Sequence, residues 1–78
     1  MIVLAESEID FLIQLGLTKT QAKVYLTLLR LDPAKARTIY KNTNVPRPEV
    51  YRSLDELQKL GLVEREIAKP FVFHTPPL

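Results

Sequence analysis

The side chains with the clearest chemistry in this sequence are cations in its second half. Arg47 and Arg52 fall near the start of a predicted helix, and Lys69 falls at the tip of a predicted β-ribbon. Guanidinium and ammonium groups donate hydrogen bonds to phosphate oxygens, and arginine also donates to the edges of bases. Up to Ala34, three cations stand against four carboxylates, whereas eight stand against five after it. This uneven distribution, within a net charge of +2, indicates one face suited to a polyanion.

The composition argues against most other chemistries. There is no cysteine, and the single histidine, His74, lacks partners for a metal site or a catalytic triad. A chain of 78 residues has room for one small domain, in which an enzyme pocket would consume much of the core. No apolar run approaches the ~20 residues that span a bilayer, and residues 1–5 lack the basic flank of a signal peptide. We therefore expect a cytoplasmic binding domain with no catalytic residue, no metal and no cofactor.

Two helices are predicted in the first part of the chain. The first covers about residues 7–15, with the Ser7 hydroxyl as its N-cap and Gly16 at its end. The second begins at a capping box, Thr18–Gln21, in which each side chain bonds the other residue's backbone N–H. It ends before Pro33, because a residue that precedes proline is disfavoured in the α conformation.

A short helix, a tight turn and a longer helix follow, over residues 37–42, 43–45 and 46–60, after a link or strand fragment at 34–36. This is the pattern of a helix-turn-helix, whose second (recognition) helix inserts its N-terminal end into the major groove of DNA. Its apolar stripe is Val50, Leu54, Leu57 and Leu60. At about 100° per residue, the opposite side of the helix carries Pro48, Arg52, Asp55 and Lys59.

After Gly61 the pattern changes to short strands. Strand formers over 62–67 and 71–74 flank a short connection that contains Lys69. A ribbon directly after a recognition helix is the wing of a winged helix, and a cationic wing tip can contact the sugar–phosphate backbone.

The predicted fold class is therefore mostly α with a small β-ribbon, a winged helix-turn-helix. We expect one domain over residues 1–78, and its parts are an extra N-terminal helix at about 7–15, the helix-turn-helix at about 36–60 and the wing at about 62–75.

Four groups of residues carry a resemblance to a known family: Leu15–Thr18, Ala22–Leu29, Val45–Arg47 with Val50, Tyr51 and Leu54, and Leu57 with Gly61–Glu64. Together they resemble the DNA-binding domain of TrmB-like transcriptional regulators, which are archaeal and bacterial proteins, many of them sugar-responsive. The resemblance implies an N-terminal winged helix-turn-helix that binds duplex DNA. The sequence departs from the family at Lys35, Tyr40 and Asn44, where a small or hydroxyl residue, an alanine and a glycine are usual.

The family's C-terminal effector domain is not part of these 78 residues, so we expect no small-molecule effector site here. The chain is either a stand-alone DNA-binding module or a domain of a longer regulator, and the sequence does not decide between them.

The residues predicted to contact duplex DNA lie on three elements. They are Arg47, Pro48 and Arg52 on the recognition helix, Lys35, Arg37 and Lys41 around the short helix, and Lys69 on the wing. Each of these cations could instead be an ordinary surface charge, and Arg52 could pair with Glu49 or Glu56. Tyr51, Phe71 and Phe73 are interpreted as packing residues and not as base-stacking platforms.

Two functions remain open from the sequence. The first is a sequence-specific duplex-DNA-binding transcriptional regulator that acts as a homodimer, because the apolar Ile2, Leu4 and Phe11 exceed what one small core needs. The second is a winged-helix protein–protein interaction module or adaptor subunit without DNA binding. It is favoured by the low net charge and by the recognition helix's carboxylates.

Overall fold

Four helices and a small sheet make up the computed structural model, which describes residues 3–67 and 71–76. The helices are α1 (Glu6–Gln14), α2 (Lys19–Leu31), α3 (Ala36–Asn42) and α4 (Arg47–Lys59). The strands are β1 (Ala34–Lys35), β2 (Glu64–Arg65) and β3 (Val72–His74). The predicted order of elements and the winged helix-turn-helix arrangement are confirmed. Within the described residues, no helix is both long and apolar enough to cross a membrane.

The first helix begins one residue earlier than predicted, and Ser7 does not cap it. Its N-cap is Ala5, whose carbonyl oxygen accepts the first helical hydrogen bonds, including one from the N–H of Glu8 at 3.1 Å. The carboxylates of Glu6 and Glu8 lie in the first turn, where they favour the helix dipole. At the other end Gly16 has a φ of 112°, as a C-terminal glycine stop requires.

The predicted capping box at the start of α2 is present. The N–H of Gln21 donates to the Thr18 hydroxyl at 3.0 Å, and the N–H of Thr18 donates to Gln21 Oε1 at 3.0 Å. The amide group of Gln21 also donates to Glu56 Oε1 on α4 at 3.1 Å. Gln21 therefore takes part in the N-terminal cap of α2 and also links that helix to α4 by a hydrogen bond.

The main core lies between α2, α3, α4 and the sheet. The predicted stripe of α4 is correct for Val50, Leu54 and Leu57, which are all 0% exposed. It is wrong for Leu60, which is 59% exposed because α4 ends at Lys59 and Leu60 is its C-cap. Completing this core are Val24, Leu28, Ala34, Ala36, Ile39, Val45, Val63 and Phe73.

A second, smaller cluster joins α1 to α2. It buries Ile9 against Ala22 and Leu26, with Leu4 and Leu12 packed at its margin. Beside it Arg30 Nη2 lies 2.9 Å from Glu8 Oε1, and this hydrogen bond and charge lower the pKa of the Glu8 carboxyl below its ordinary value.

The cluster is too small to cover every apolar residue of the first two helices. Ile13 and Leu29 follow the buried Ile9 and Leu26 at helical spacing, yet they are 40% and 44% exposed, and Leu15 is 65% exposed. The sequence pattern therefore overestimates how much of α1 is buried.

The sheet is larger than the predicted ribbon because β1 joins it. The strand order is β1-β3-β2, and both pairings are antiparallel. Phe73 of β3 is the shared residue, since it is opposite Ala34 on one side and Arg65 on the other. Just after β3, the Thr75 hydroxyl donates to Asp32 Oδ2 at 2.7 Å, which fixes the end of the strand to the end of α2.

Residues 43–46 connect α3 to α4, one residue more than the predicted turn at 43–45, because Pro46 is the N-cap of α4. Thr43 and Val45 are buried there. Within residues 3–67 and 71–76, only glycines have positive φ, so Asn44 stays outside the left-handed region.

We expect Thr18→Ala to lower the free energy of unfolding by about 1 kcal/mol, because the N–H of Gln21 loses its acceptor. The measurement is urea unfolding followed by circular dichroism. Ser7→Ala is the matched control, because the Ser7 side chain caps nothing and its loss should leave the unfolding midpoint nearly unchanged. Equal destabilisation by both variants would contradict the assigned helix boundaries.

Candidate nucleic-acid interface

A groove of about 660 Å³ separates α4 from the sheet. Its floor is apolar and includes Leu54 and the rings of Phe71 and Phe73. Its rim is cationic, since Lys35 and Arg37 reach it from the β1–α3 junction and Arg65 reaches it from β2. The remaining lining residues are Ala36, Tyr51, Asp55 and Gln58. Three cations against one carboxylate give this groove an anion-attracting character.

The first residue of α4, Arg47, is held beside two aromatic rings. Its guanidinium carbon lies 5.9 Å from the ring centre of Tyr40 on α3 and 5.7 Å from that of Tyr51 on α4. Distances below about 6 Å are within the range of cation–π attraction. Arg47 and Tyr51 are four residues apart, so they are neighbours on one face of the helix. The three side chains thus link the two helices of the helix-turn-helix at its outer surface.

A second arginine is supported by an aromatic ring on the other side of the groove. The guanidinium carbon of Arg65 lies 4.5 Å from the ring centre of Phe71. Arg65 is opposite Phe73 in the sheet, so Phe71 lies diagonally across the strand pair, within reach of a long side chain. The groove therefore has an aromatic-supported arginine, Arg65, at its sheet side, and its α4 side is lined by Tyr51, the ring beside Arg47.

The comparison with protein families settles the relationship suggested by the sequence motifs. The family model described as "Sugar-specific transcriptional regulator TrmB" matches residues 12–78. The chain belongs to the TrmB family.

Individual relatives agree with this assignment. The HTH-type sugar sensing transcriptional regulator TrmBL1 of Pyrococcus furiosus is 37% identical over 62 residues, which is 80% of this chain and 18% of the length of that relative. The solved structure of TrmBL2, described as an archaeal chromatin protein with a novel mode of DNA binding, superposes with a TM-score of 0.86 at 19% identity. That match covers 95% of this chain and 29% of the TrmBL2 chain.

A third match comes from outside the family. The Zalpha domain of Carassius auratus PKZ, solved in complex with Z-DNA, has a TM-score of 0.69 and 26% identity. The match covers 74% of this chain and 94% of the Zalpha chain.

In this TrmB-family domain, the predicted contact residues on α4 all lie at the surface. Arg47, Pro48 and Arg52 are exposed. Arg52 is the one with a carboxylate partner, because its Nη2 lies 3.8 Å from Glu49 Oε1. That pair is loose and largely in water, where such pairs contribute about 0–1 kcal/mol.

The remaining predicted residues divide between the groove and other surfaces. Lys35 and Arg37 line the groove, whereas Lys41 is exposed at the last turn of α3 and does not line it. Lys69 and Ile2 lie outside the described residues. Of the other residues predicted for dimerisation, Leu4 packs against the α1–α2 cluster of its own chain and Phe11 is 60% exposed.

Sequence reasoning did not single out Arg65, which lines the groove. Tyr51 and Phe71, interpreted from the sequence as packing residues, are each 45% exposed and lie beside Arg47 and Arg65. The signal for Arg65 was its place in the first strand of the predicted ribbon, opposite a run of aromatic residues. Recognising it required the strand register, which the sequence did not supply. Among residues 3–67 and 71–76, no group of acidic, histidine or cysteine side chains is arranged to hold a metal ion.

We expect the two phenylalanines to differ in their contributions to stability. Phe73→Ala should lower the free energy of unfolding by about 3–5 kcal/mol, because it empties a core site that is 5% exposed. Phe71→Ala should cost less than about 1.5 kcal/mol, from partial burial and the contact with Arg65. Urea unfolding measures both, with Phe73→Leu as a milder variant. A Phe71 variant as unstable as the Phe73 variant would make Phe71 a core residue.

Proposed function

We propose that this chain binds duplex DNA in a sequence-specific way, as the winged helix-turn-helix of a transcriptional regulator. The N-terminal half of α4 enters the major groove, and the β2–β3 wing follows the backbone beside it. The observation that carries the proposal is the groove between α4 and the sheet, whose rim carries Lys35, Arg37 and Arg65. Arg47 is exposed at the start of α4, beside the ring of Tyr51, which lines the groove. Acting on chromosomal DNA of an archaeal or bacterial cell, the domain would work in the cytoplasm.

The relatives support this choice of partner. The TrmBL1 relative is named as a transcriptional regulator, and the TrmBL2 and Zalpha structures are described with DNA. This chain spans 18% of the TrmBL1 length. Its proposed role is therefore the DNA-binding step, within one domain over residues 1–78.

Each predicted cation has a place in this arrangement. Lys35, Arg37 and Arg65 would contact phosphates along the groove rim, where their donors face outward. Arg52 would exchange its weak contact with Glu49 for a phosphate or a base edge. Lys41 and Lys69 would extend the contacts to flanking phosphates. Pro48 would give α4 a rigid first turn at the DNA surface.

The apolar floor of the same groove favours a second candidate, a protein partner in place of DNA. Leu54, Phe71 and Phe73 would then receive apolar side chains from an adaptor or subunit. The cationic rim makes DNA the better choice, because a duplex supplies phosphates at both sides of the groove.

The proposal is tested by titrating the 78-residue chain with labelled duplexes at several salt concentrations. We expect the logarithm of the association constant to fall linearly with the logarithm of salt concentration, because bound cations release counterions. Arg37→Ala and Arg65→Ala should each weaken binding to every duplex and reduce the slope by about 0.9. Lys19→Ala removes one exposed cation from a helix end that does not line the groove, and should change neither quantity.

Undetectable affinity for duplexes at low salt would overturn the proposal and favour the protein partner. Equal effects of Lys19→Ala and Arg65→Ala would show that binding depends on net charge and not on the groove.

We also infer a homodimer formed through α1 and α2. Phe11, Leu15 and Leu29 leave an apolar surface that the α1–α2 cluster does not cover, and a two-fold contact would bury it against its own copy. A dimer would present two copies of α4 to a roughly two-fold duplex site.

We expect sedimentation equilibrium to show a concentration-dependent dimer and Phe11→Glu to shift it to monomer, because a carboxylate is costly in an apolar contact. Ile67→Glu is the matched control, since Ile67 is 98% exposed near the wing. A monomer at every concentration, or equal effects of the two variants, would contradict the inferred interface.

A further inference from the structure

Arg47 differs from the other α4 cations in what surrounds its guanidinium. Arg52 lies near Glu49, and Lys59 Nζ lies 3.2 Å from Asp55 Oδ2. In the part of the chain that the structure describes, Arg47 takes part in no ion pair within 4.0 Å. Its neighbours are the two tyrosine rings, which attract the cation without accepting the in-plane hydrogen bonds of its N–H groups.

The backbone around Arg47 is also restricted. Pro46 precedes it as the N-cap of α4, with φ −59° and ψ 148°, and Pro48 follows it in the first turn. Proline fixes its own φ and restricts the backbone angles of the residue before it. The backbone of Arg47, from which its side chain extends, therefore has few accessible conformations. Rings on α3 and on α4 then limit the far end of the side chain.

The tyrosine rings leave the N–H donors of the Arg47 guanidinium available to a partner in solvent. Two parallel donors match the O6 and N7 acceptors of guanine in the major groove, which is the commonest specific contact made by arginine. A phosphate contact places a weaker demand on orientation, because lysine also binds phosphate, as a point charge without a planar fork. Preorganisation also lowers the conformational entropy lost when the contact forms.

We propose that Arg47 reads a guanine in the major groove, and that Tyr40 and Tyr51 are positioning residues that hold its guanidinium for this bidentate contact. The assignment rests on the proposed function, which supplies the duplex, and goes beyond it by naming the residue and the base that set specificity. Tyr40 is of particular interest, because it lies on the neighbouring helix α3 and not on α4.

The test begins by selecting bound duplexes from a randomised pool with the 78-residue chain. Each guanine of the selected duplex is then replaced by 7-deazaguanine, which lacks the N7 acceptor but still pairs with cytosine. At one guanine per half-site we expect about tenfold weaker binding, the size of a lost bidentate partner. Arg47→Ala should remove that penalty at the same guanine and leave the effects at other positions unchanged.

The tyrosines are tested through the same 7-deazaguanine penalty, which is the ratio of the affinities for the unmodified and the modified duplex. Tyr40→Leu and Tyr51→Leu should each reduce the 7-deazaguanine penalty about two- to fivefold, the strength of one exposed cation–π contact. Tyr40→Phe and Tyr51→Phe keep the rings and should keep the penalty. Phe71→Leu is the matched control, because it removes the ring beside Arg65 and should leave guanine discrimination intact. Circular dichroism melting of every variant ensures that only folded proteins are compared, and the phenylalanine variants keep the comparison usable if a leucine variant unfolds.

Two results would overturn the inference and leave DNA binding standing. One is a uniform loss of affinity in Arg47→Ala with the 7-deazaguanine penalty retained, which would make Arg47 a phosphate contact. The other is binding without any enriched duplex. Full discrimination in both leucine variants would remove the tyrosines from the mechanism. No binding to any duplex at low salt would overturn the proposed function and this inference together.

Discussion

The burial of one face of α4 is the constraint on which the rest of the structure depends. Val50, Leu54 and Leu57 are completely enclosed by α2, α3 and the sheet. Rotating α4 by a single residue, about 100°, would expose this stripe and bury charged side chains in its place. The hydrogen bond from Gln21 to Glu56 fixes the same helix at its side. The outward direction of the arginines is therefore a consequence of core packing and requires no separate interaction.

Features that depend on neighbours in the sequence were predictable. The capping box at Thr18, the glycine stop at Gly16 and most of the α4 stripe follow from local hydrogen bonding and helical spacing. The prediction of Ser7 as an N-cap was wrong. A hydroxyl followed by a carboxylate is a common N-cap pattern, but α1 begins at Glu6 after Ala5, and Ser7 lies within its first turn. Features that depend on distant pairing were not predictable. A two-residue strand such as β1 is too short for its sequence to indicate which strand it pairs with. Neither the sheet order nor the position of Arg65 beside Phe71 could therefore be derived from the sequence.

The candidate site combines an apolar floor with a cationic rim, whereas from the sequence the aromatic residues are interpreted as packing residues and the cations as DNA contacts. Its apolar floor comes from side chains that also complete the core, such as Phe73 and Leu54. Its cations come from the exposed positions of the elements around that floor. In a domain of 78 residues, few apolar side chains can be spared for a separate binding surface. Tyr40 packs against the core and also lies beside Arg47, so exposure alone does not separate packing residues from binding residues here.

The central position of β3 has a mechanical consequence. Because β3 hydrogen-bonds to β1 and to β2, the base of the wing and the strand that leads directly into α3 belong to one sheet. These pairings restrict the span between Arg37 and Arg65 before any partner binds. A double helix that engages both must adjust its own groove width and curvature, and base-pair steps that bend easily do so at the lower energetic cost. Such a domain would favour some sequences by their deformability, at positions that none of its side chains touches.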